Sequence, residues 1–497
     1  MGAFDRIKLL VGGEPTLGLL LERLAAIHGD TRLIEEAGDD GLTLTFAEGA
    51  QRVDRLAAGI AAKIEPGDRV VLNVPNGYDL FLLCQATCRA GGVAVPVNDK
   101  MRDAEIAHVV EDSGATLVVK DVADVLADEG LGDERAIAAR PDDVAGIFYT
   151  SGTTGLPKGA RLTHQSLVGT SARMAALPVR LAREAVTGMP VAHIAGFTVL
   201  VAAMCGGVPV YLLRKFRPTD ALDAIESRRA TAFVGVPAMY RMMDEAGAAD
   251  RDLRSVRMWA SGADSMPDDL AKKFQKMGAT VTLPLIGANL GEAIFVDGYG
   301  MVELAGGVAT RVALPGVTLP LMPLPGNSMK AVDEDGNEVR IGEVGELVVK
   351  SRSALKGYHG NDEASQEVIT EDGWVRTGDL ARRGPFGLMT LAGRKKHVIK
   401  HGGYSVFAVE VETQLCRHPD VAEAAVIGLA DDRKGEVPAA VVRLRPGASL
   451  SEDDLIAWAG EQMADYKVPT RVVFVDEMPR TGTDKVQKDA LKELFDA

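Results

Sequence analysis

Phe148-Tyr-Thr-Ser-Gly-Thr-Thr-Gly-Leu-Pro-Lys-Gly-Ala-Arg-Leu-Thr-His164 is the most informative part of this chain. An apolar, strand-like run from Ala145 to Tyr149 leads into it, and three glycines and four hydroxyl residues then fall within the ten positions from Thr150 to Gly159. Glycines permit backbone conformations that side chains forbid, so amide groups can turn toward a ligand. Together with the mobile charge of Lys158, this composition indicates a loop that binds a polyphosphate.

The loop differs from the common nucleotide-binding loop, in which a lysine follows the second glycine directly and precedes serine or threonine. Here Leu156 and Pro157 come before Lys158, and Gly159 follows it. The alternative interpretation is a flexible Gly/Thr surface loop without a ligand, which the density of matched positions disfavours.

The loop closely resembles the signature of the adenylate-forming acid ligases, the superfamily of acyl-CoA synthetases, nonribosomal adenylation domains and luciferases. The resemblance implies that ATP phosphates are bound by one run of residues, in which Thr150 also takes a catalytic part. That run comprises Thr150, Ser151, Gly152, Thr153, Thr154, Gly155 and Lys158.

A second motif, Val296-Asp-Gly-Tyr-Gly-Met-Val-Glu303, matches the same superfamily. The resemblance implies that Tyr299 stacks on adenine and that Asp297 accepts from its amino group. Glu303 is a hard oxygen ligand suited to Mg²⁺ and is expected to act in catalysis. The family's usual threonine before this glutamate is Val302 here, which predicts weaker or altered handling of the nucleotide. The remaining expected nucleotide contacts in this motif are Gly298, Gly300 and Met301.

Two further motifs follow, Gly373-Trp-Val-Arg-Thr-Gly-Asp-Leu380 and Leu391-Ala-Gly-Arg-Lys-Lys-His-Val-Ile399. By resemblance, Asp379 accepts from the ribose hydroxyls and Arg394 reaches the ribose and phosphate. The glycines of the next loop, Gly402 and Gly403, are expected to admit CoA during the thiol step. His401 and Tyr404 differ from the family's commonest residues there, which leaves the selectivity for the thiol open.

The last motif is Pro479-Arg-Thr-Gly-Thr-Asp-Lys-Val-Gln-Lys488. Lys485 matches the family's catalytic lysine, which bridges the substrate carboxylate and the α-phosphate. The family's glycine before it is replaced by Asp484, an acid that would dampen the lysine's field or point to solvent. Lys488 and Lys492 are interpreted as part of a solvated face.

Segments between the motifs also resemble pocket elements of the family. His193 is expected to line the acyl site and to act in catalysis, the alternative being a core histidine with satisfied hydrogen bonds. The shelf for adenine is expected at Ser261, Gly262 and Ala263. The stretch 281–295 is longer than the family's usual approach to the tyrosine motif, and it has no assigned role.

Strands alternate with helices early in the chain, as in Val70–Val74, the helix Gly77–Arg89 and Gly92–Val97, which predicts parallel α/β sheets. We expect a large N-terminal domain, 1–394, with two α/β sheets and a barrel-like β subdomain at about 326–392. A small, mobile α+β domain, 395–497, would follow a hinge near Lys395-Lys396. Its predicted helices include Phe407–Arg417 and Ser451–Met463.

Length and charge narrow the classes of function. The chain has 497 residues, a net charge of −15 and an isoelectric point near 5.1, which argue against nucleic-acid binding. The four cysteines form no metal-type cluster, and Cys84 and Cys88 at helical spacing are expected to face a core. Free thiols and the absence of a signal peptide predict a cytoplasmic protein. The apolar run Phe197–Leu213 is expected to be a buried helix leading into a strand, without stable membrane insertion.

The motifs occur in family order, so we predict an AMP-forming acid–thiol ligase, an acyl-CoA synthetase that uses ATP, Mg²⁺ and CoA. One alternative is an acyl-AMP ligase that loads a carrier-protein thiol or an amine. Another is a non-catalytic acyl or nucleotide binder, to which the Val302 and Asp484 departures lend support. Low aromatic content and small aliphatic pocket segments favour a fatty or other apolar acid, and aryl acids stay open. The oligomeric state is not readable from the sequence.

Overall fold

The computed structural model divides the chain into two compact units, which we call unit 1 (residues 1–328 and 350–375) and unit 2 (residues 329–349 and 376–497). The residues that the structure describes are 16–38, 40–133, 136–150, 157–175, 182–264, 266–282, 289–480 and 486–495.

Unit 1 contains a five-stranded sheet, the N-terminal sheet, that carries the strand before the glycine-rich loop. Its strands are parallel except for the last pair, which is antiparallel. In spatial order the strands are Leu117–Val119, Arg69–Leu72, Val93–Pro96, Val144–Thr150 and Lys158–Thr163.

The second sheet of unit 1, the large sheet, has ten strands and a parallel centre. Its outer strands turn antiparallel, which closes each end with a hairpin-like pair. In spatial order the strands are Val317–Thr318, Gly306–Leu314, Ile294–Met301, Met258–Gly262, Ala232–Gly235, Ala185–Thr187, Val210–Leu212, Arg32–Glu36 and Thr43–Thr45, with Met322–Pro323 beside Gly306–Leu314. A separate two-stranded pair joins Val281–Thr282 to Asn289–Leu290.

Helices cover both sheets. One of them begins at a complete capping box, in which the Thr45 hydroxyl accepts from the Glu48 amide and the Glu48 carboxylate accepts from the Thr45 amide. The fully buried rings of Phe233, Tyr240 and Trp259 form the centre of the core against the large sheet. The helices of unit 1 are Leu20–His28, Phe46–Ala61, Tyr78–Arg89, Asp103–Ser113, Thr170–Ala175, Ile194–Cys205, Pro218–Arg228, Pro237–Glu245, Asp268–Met277 and Asp362–Val368.

Unit 2 is built on two sheets. The strands of the first, a four-stranded sheet, are in order Asn327–Val332, Val344–Ser351, Val375–Arg383 and Met389–Arg394. Those of the second, which we call the C-terminal sheet, are Tyr404–Phe407, Val398–His401, Gly435–Leu444 and Val421–Asp431, with Arg471–Phe474 parallel to Gly435–Leu444. Its helices are Ala408–Leu415 and Glu452–Gln462, the second capped by the Ser451 hydroxyl.

The predicted fold class is confirmed, and the sequence located several elements to within a few residues. The predicted helix Gly77–Arg89 occurs as Tyr78–Arg89, and the apolar run Phe197–Leu213 spans a helix that ends at Cys205 and the strand Val210–Leu212. Cys84 and Cys88 are buried free thiols, as expected, and burial raises the pKa of Cys88 to about 12. Among the described residues, no helix combines the length and apolarity needed to cross a bilayer.

Gly300 provides a test of the large sheet. A β-bulge at Tyr299/Gly300 brings the neighbouring strand so close that a Cβ on Gly300 would lie 1.8 Å from the Gly306 carbonyl oxygen. Gly300→Ala should therefore lower the urea midpoint of unfolding, with a cost of at least about 2 kcal/mol, because the backbone must shift. Gly307→Ala is the matched control, since a Cβ there meets nothing within 4 Å. An equal midpoint for both variants would contradict this account of the bulge.

Candidate active site

The glycine-rich loop connects two antiparallel strands of the N-terminal sheet, and Thr150 pairs with Lys158 at its base. The helix Asp103–Ser113 holds both ends of the loop. The Tyr149 hydroxyl donates to Asp112 at 2.6 Å, and His108 Nε2 lies 3.3 Å from the Pro157 carbonyl. The predicted phosphate contacts Ser151, Gly152, Thr153, Thr154 and Gly155 lie outside the described residues.

Tyr358 joins the end of this loop to the predicted metal ligand. Lys158 Nζ lies 5.6 Å from the centre of the Tyr358 ring, and the Tyr358 hydroxyl donates to Glu303 Oε1 at 2.6 Å. Burial, and next the Glu303 charge, raise the pKa of Tyr358, so its hydroxyl remains a donor. Tyr358 thus contacts Lys158 with its ring and Glu303 with its hydroxyl. The sequence reasoning missed Tyr358, although glycines flank it in Gly357-Tyr-His-Gly360.

Glu303 lies in a short 3₁₀ turn, Val302–Leu304, directly after the strand Ile294–Met301. Its side chain is buried, and its carbonyl accepts from the Leu355 amide at 2.9 Å. Within the described part of the chain, no group of three or more His, Cys, Asp or Glu side chains is arranged to hold a metal. A single protein carboxylate fits Mg²⁺, which commonly takes one or two carboxylates and completes its shell with phosphate oxygens and water.

The two segments expected around adenine are adjacent strands of the large sheet. Met258–Gly262 pairs in parallel with Ile294–Met301, so Ser261 lies opposite Asp297 and Gly262 opposite Gly298. Ala263 follows with a left-handed φ of +68°, a conformation that costs a non-glycine residue energy. Ligands of open α/β sheets bind at such carboxyl ends.

Two buried polar atoms on these strands have no hydrogen-bond partner among the described residues, Ser261 Oγ and Asp297 Oδ1. The other oxygen of Asp297 lies 3.2 Å from Arg311 Nη2. Burial raises the pKa of Asp297 to about 6 despite Arg311, which lowers it. Because buried polar atoms are rarely left unpaired, these two fit a site completed by a polar ligand.

The remaining residues of the second motif follow the same strand. Tyr299 pairs with Ala309 across the sheet, and Met301 is the last strand residue before the turn that holds Glu303. A Cβ on Gly300 would collide with the Gly306 carbonyl of the neighbouring strand, so the sheet itself requires a glycine at this position.

His193 caps the helix Ile194–Cys205, and its Nδ1 accepts from the Ala195 amide at 3.3 Å. The helix start therefore fixes the imidazole. Phe197, one turn later, is fully buried against Phe81 and Phe148, with ring centres 5.0 and 5.3 Å away.

Within unit 2, Asp379 and Arg394 face each other across two antiparallel strands. Arg394 Nε lies 2.9 Å from Asp379 Oδ1, and the Asp379 amide donates to the Thr377 hydroxyl oxygen at 3.1 Å. The structure thus places the two residues expected at the ribose side by side.

Gly402 and Gly403 form the two-residue turn of a hairpin, with φ of +57° and +87°. Such turns need left-handed conformations at both positions, which glycine adopts without strain. His401 is buried beside them, and its Nδ1 has no hydrogen-bond partner within the described ranges.

Lys485 lies outside the described residues. The interpretation of Lys488 as a solvated residue is wrong, because its side chain is only 16% exposed and pairs with Glu412. Its amine also donates to the Val426 carbonyl at 3.2 Å. Sequence could not reveal this pair, since its partners are 76 residues apart.

Comparison with known families identifies the family to which the chain belongs. Residues 21–359 match the family described as AMP-binding enzyme, and residues 410–485 match the AMP-binding enzyme C-terminal domain. The chain belongs to the AMP-binding enzymes. The first match contains the whole glycine-rich loop, Glu303 and Tyr358, and the second includes Lys485.

Relatives of this AMP-binding enzyme have been given names that describe CoA ligases. A feruloyl-CoA synthase from Amycolatopsis sp is 35% identical over 490 residues, which cover 92% of this chain and 94% of the relative. A 2-succinylbenzoate–CoA ligase from Geobacillus kaustophilus is 32% identical over 485 residues, covering 92% and 94%.

Solved structures agree over nearly the whole length. ATP-bound MatB from Rhodopseudomonas palustris superposes with a TM-score of 0.83 at 28% identity, covering 97% of this chain and 99% of the other. The o-succinylbenzoate CoA synthetase MenE from Bacillus subtilis, in complex with its acyl-adenylate OSB-AMP, gives a TM-score of 0.82 at 26% identity, covering 96% and 98%.

Tyr358→Phe tests the link between Lys158 and Glu303. Loss of the hydroxyl leaves a buried carboxylate with one donor fewer, at a cost of about 1–3 kcal/mol. Mutation of a residue that orients a metal ligand typically lowers the affinity for the metal by roughly 10–100-fold. We therefore expect a lower urea midpoint and an increase of about tenfold in the Mg²⁺ concentration that supports ATP binding, measured by titration calorimetry.

Tyr240→Phe is the control, because its hydroxyl donates to the Ala260 carbonyl at 2.8 Å inside the core. That variant should lower the midpoint and leave the Mg²⁺ dependence unchanged. If the two variants have the same Mg²⁺ dependence, Tyr358 does not act through Glu303.

Proposed function

We propose that this AMP-binding enzyme activates a carboxylic acid with ATP, forming an acyl-adenylate and pyrophosphate, and then transfers the acyl group to CoA with release of AMP. The observation that carries the proposal is the contact of Lys158 and Glu303 through Tyr358, which joins a phosphate-type loop to a metal-type carboxylate. Relatives whose names describe CoA ligases, matched over more than nine-tenths of their length, support CoA as the acceptor.

In the first step the carboxylate oxygen attacks the α-phosphorus in line, and the bond to the β-phosphate oxygen breaks. The loop from Thr150 to Lys158 would hold the β- and γ-phosphates, and Lys485 would offset the charge that builds up around the α-phosphate. The protein supplies positioning and electrostatic stabilisation in this step, without a covalent enzyme intermediate.

Glu303, oriented by Tyr358, would hold Mg²⁺ beside the phosphates, where the cation neutralises negative charge. The adenine would lie at the carboxyl ends of the strands that carry Ser261 and Asp297. In unit 2, Asp379 would accept from the ribose hydroxyls and Arg394 would donate to ribose and phosphate oxygens. The mutual ion pair of these two residues keeps both in a fixed geometry before the nucleotide binds.

The second step requires a thiol where Lys485 acted. We propose that the domain from Lys395 onward rotates about a hinge at Lys395-Lys396, withdraws Lys485 and brings the turn Gly402-Gly403 toward the acyl-adenylate. The CoA sulfur then attacks the acyl carbonyl, and AMP leaves. Support comes from the turn, whose two glycines have open space where a Cβ would be.

For the acid, we propose an apolar carboxylate, and an aryl acid first among these. Two relatives above 30% identity are named for a feruloyl and a succinylbenzoate substrate, both of which contain an aromatic ring. On the helix that His193 caps, the buried ring of Phe197 packs against the buried rings of Phe81 and Phe148.

The test is acid-dependent release of pyrophosphate from Mg²⁺·ATP across a panel of hydroxycinnamic, benzoic, fatty and dicarboxylic acids, with and without CoA. We expect release with apolar acids, and stoichiometric AMP and acyl-CoA once CoA is present. Release without consumption of CoA would move the function to a carrier-protein thiol or an amine. ATP binding without any release would identify a non-catalytic binder.

Lys485→Ala separates the two half-reactions. It should lower acid-dependent exchange of pyrophosphate into ATP by at least about a hundredfold, because the charge on the α-phosphate is no longer offset. Formation of acyl-CoA from synthetic acyl-adenylate should stay within about twofold of the unaltered protein. An equal loss in both half-reactions would contradict the domain rotation.

A further inference from the structure

Described residues on both sides of Lys485 are bonded to the outer strand of the C-terminal sheet. On its N-terminal side, Arg480 Nη2 donates to both carboxylate oxygens of Glu423, at 2.8 Å each. The Glu423 side chain is only 7% exposed, and Arg443 Nε lies 3.6 Å from it on the neighbouring strand. Arg480 is the last described residue before Lys485.

The backbone closes directly behind this ion pair. Arg480 forms an antiparallel bridge with Val486, and the Gln487 amide donates to the Pro479 carbonyl at 2.8 Å. These contacts hold the residues before 481 next to those after 485. Met478 and Val486, on the two sides, pack on the same apolar cluster of the sheet.

On the C-terminal side, Lys488 pairs with Glu412, a residue of the helix Ala408–Leu415. Both charged groups meet at Val426 on the outer strand. The Val426 amide donates to Glu412 Oε1 at 2.8 Å, and its carbonyl accepts from Lys488 Nζ at 3.2 Å. Val426 therefore joins three parts of the unit: the helix Ala408–Leu415, the outer strand and the chain that follows Lys485.

We propose that Glu423 and Glu412 are positioning residues that hold Lys485 for adenylation, an inference that rests on the proposed function of Lys485. Both carboxylates lie on elements of the folded domain, and their partners Arg480 and Lys488 lie five residues before and three residues after Lys485. Charge-assisted hydrogen bonds with well-shielded partners are stronger and more directional than exposed ones.

Two ion pairs, one on each side of Lys485, would position this lysine more accurately than one pair could. A lysine that bridges two reacting groups must be held to within about half an ångström, and a displacement of about 1 Å can cost a hundredfold in rate. With only one of these pairs, the chain on the other side of residues 481–485 would lack its ion pair to the folded domain. With both Arg480 and Lys488 paired to the folded domain, we expect the reach of Lys485 to be more restricted than with one pair alone.

The experiment uses the full chain and two charge-removing variants, Glu423→Gln and Glu412→Gln. Each is assayed for acid-dependent exchange of pyrophosphate into ATP and, separately, for acyl-CoA formation from synthetic acyl-adenylate. We expect kcat for exchange to fall at least about tenfold, with KM for ATP within about twofold and the thioester step unchanged. Loss in both half-reactions, or in neither, would overturn the proposal.

Matched controls distinguish positioning from general support of the domain. Arg443→Gln removes a second ion-pair partner of Glu423 and leaves the pair with Arg480 in place. Glu410→Gln removes the pair with Lys467 on the same helix as Glu412. Both controls should retain exchange within about twofold. A loss in the controls equal to that in the test variants would show that only stability of the domain is involved.

A second measurement does not depend on catalysis. Hydrogen exchange of the peptide spanning 479–488, followed by mass spectrometry, should accelerate at least about fivefold in Glu423→Gln and stay unchanged in Arg443→Gln, because the backbone bridge behind Arg480 opens more often. If exchange accelerates but the unaltered protein shows no adenylation, the proposed function fails and the anchoring stands. Unchanged exchange in Glu423→Gln overturns the anchoring itself.

Discussion

The hydrogen bond between the Tyr358 hydroxyl and the Glu303 carboxylate is the interaction on which the geometry of the candidate site in unit 1 depends. Tyr358 belongs to a loop that pairs with the strand after the glycine-rich loop, through its bridge to Ala160 and through the Arg161 amide, which donates to the Gly357 carbonyl. On its other side the same loop holds the Glu303 backbone through the Leu355 amide. The N-terminal sheet and the turn between two strands of the large sheet are therefore joined by one short segment.

This arrangement solves an electrostatic problem. The chain has a net charge of −15, and ATP is a polyanion. Basic side chains must therefore lie close to the phosphates, and carboxylates that would pair with them must be kept away. Tyr358 separates Lys158 from Glu303, and the ring keeps the ammonium on its face while the hydroxyl satisfies the carboxylate. Each charged group thus has its own contact with Tyr358, which suits the separate roles proposed for them at phosphate and at Mg²⁺.

Sequence reasoning located strands and helices because their apolar runs are local. The site residues were predicted from motifs that the chain shares with its family. It did not identify Tyr358, whose role arises from a contact 55 residues from Glu303. It predicted that Gly300 contacts the nucleotide, and it did not foresee that the strand bulge also requires a glycine there. Lys488 was misjudged for the same reason as Tyr358, because the partner that buries it is remote in sequence.

The central claim is that the substrate carboxylate attacks the α-phosphate of ATP. The most direct test is to supply an accepted acid labelled with ¹⁸O in both carboxylate oxygens, together with ATP, Mg²⁺ and CoA, and to analyse the products by mass spectrometry. The account predicts one ¹⁸O in each AMP, one in the acyl-CoA carbonyl and none in pyrophosphate. Label in inorganic phosphate or pyrophosphate, or unlabelled AMP beside labelled acyl-CoA, would contradict it.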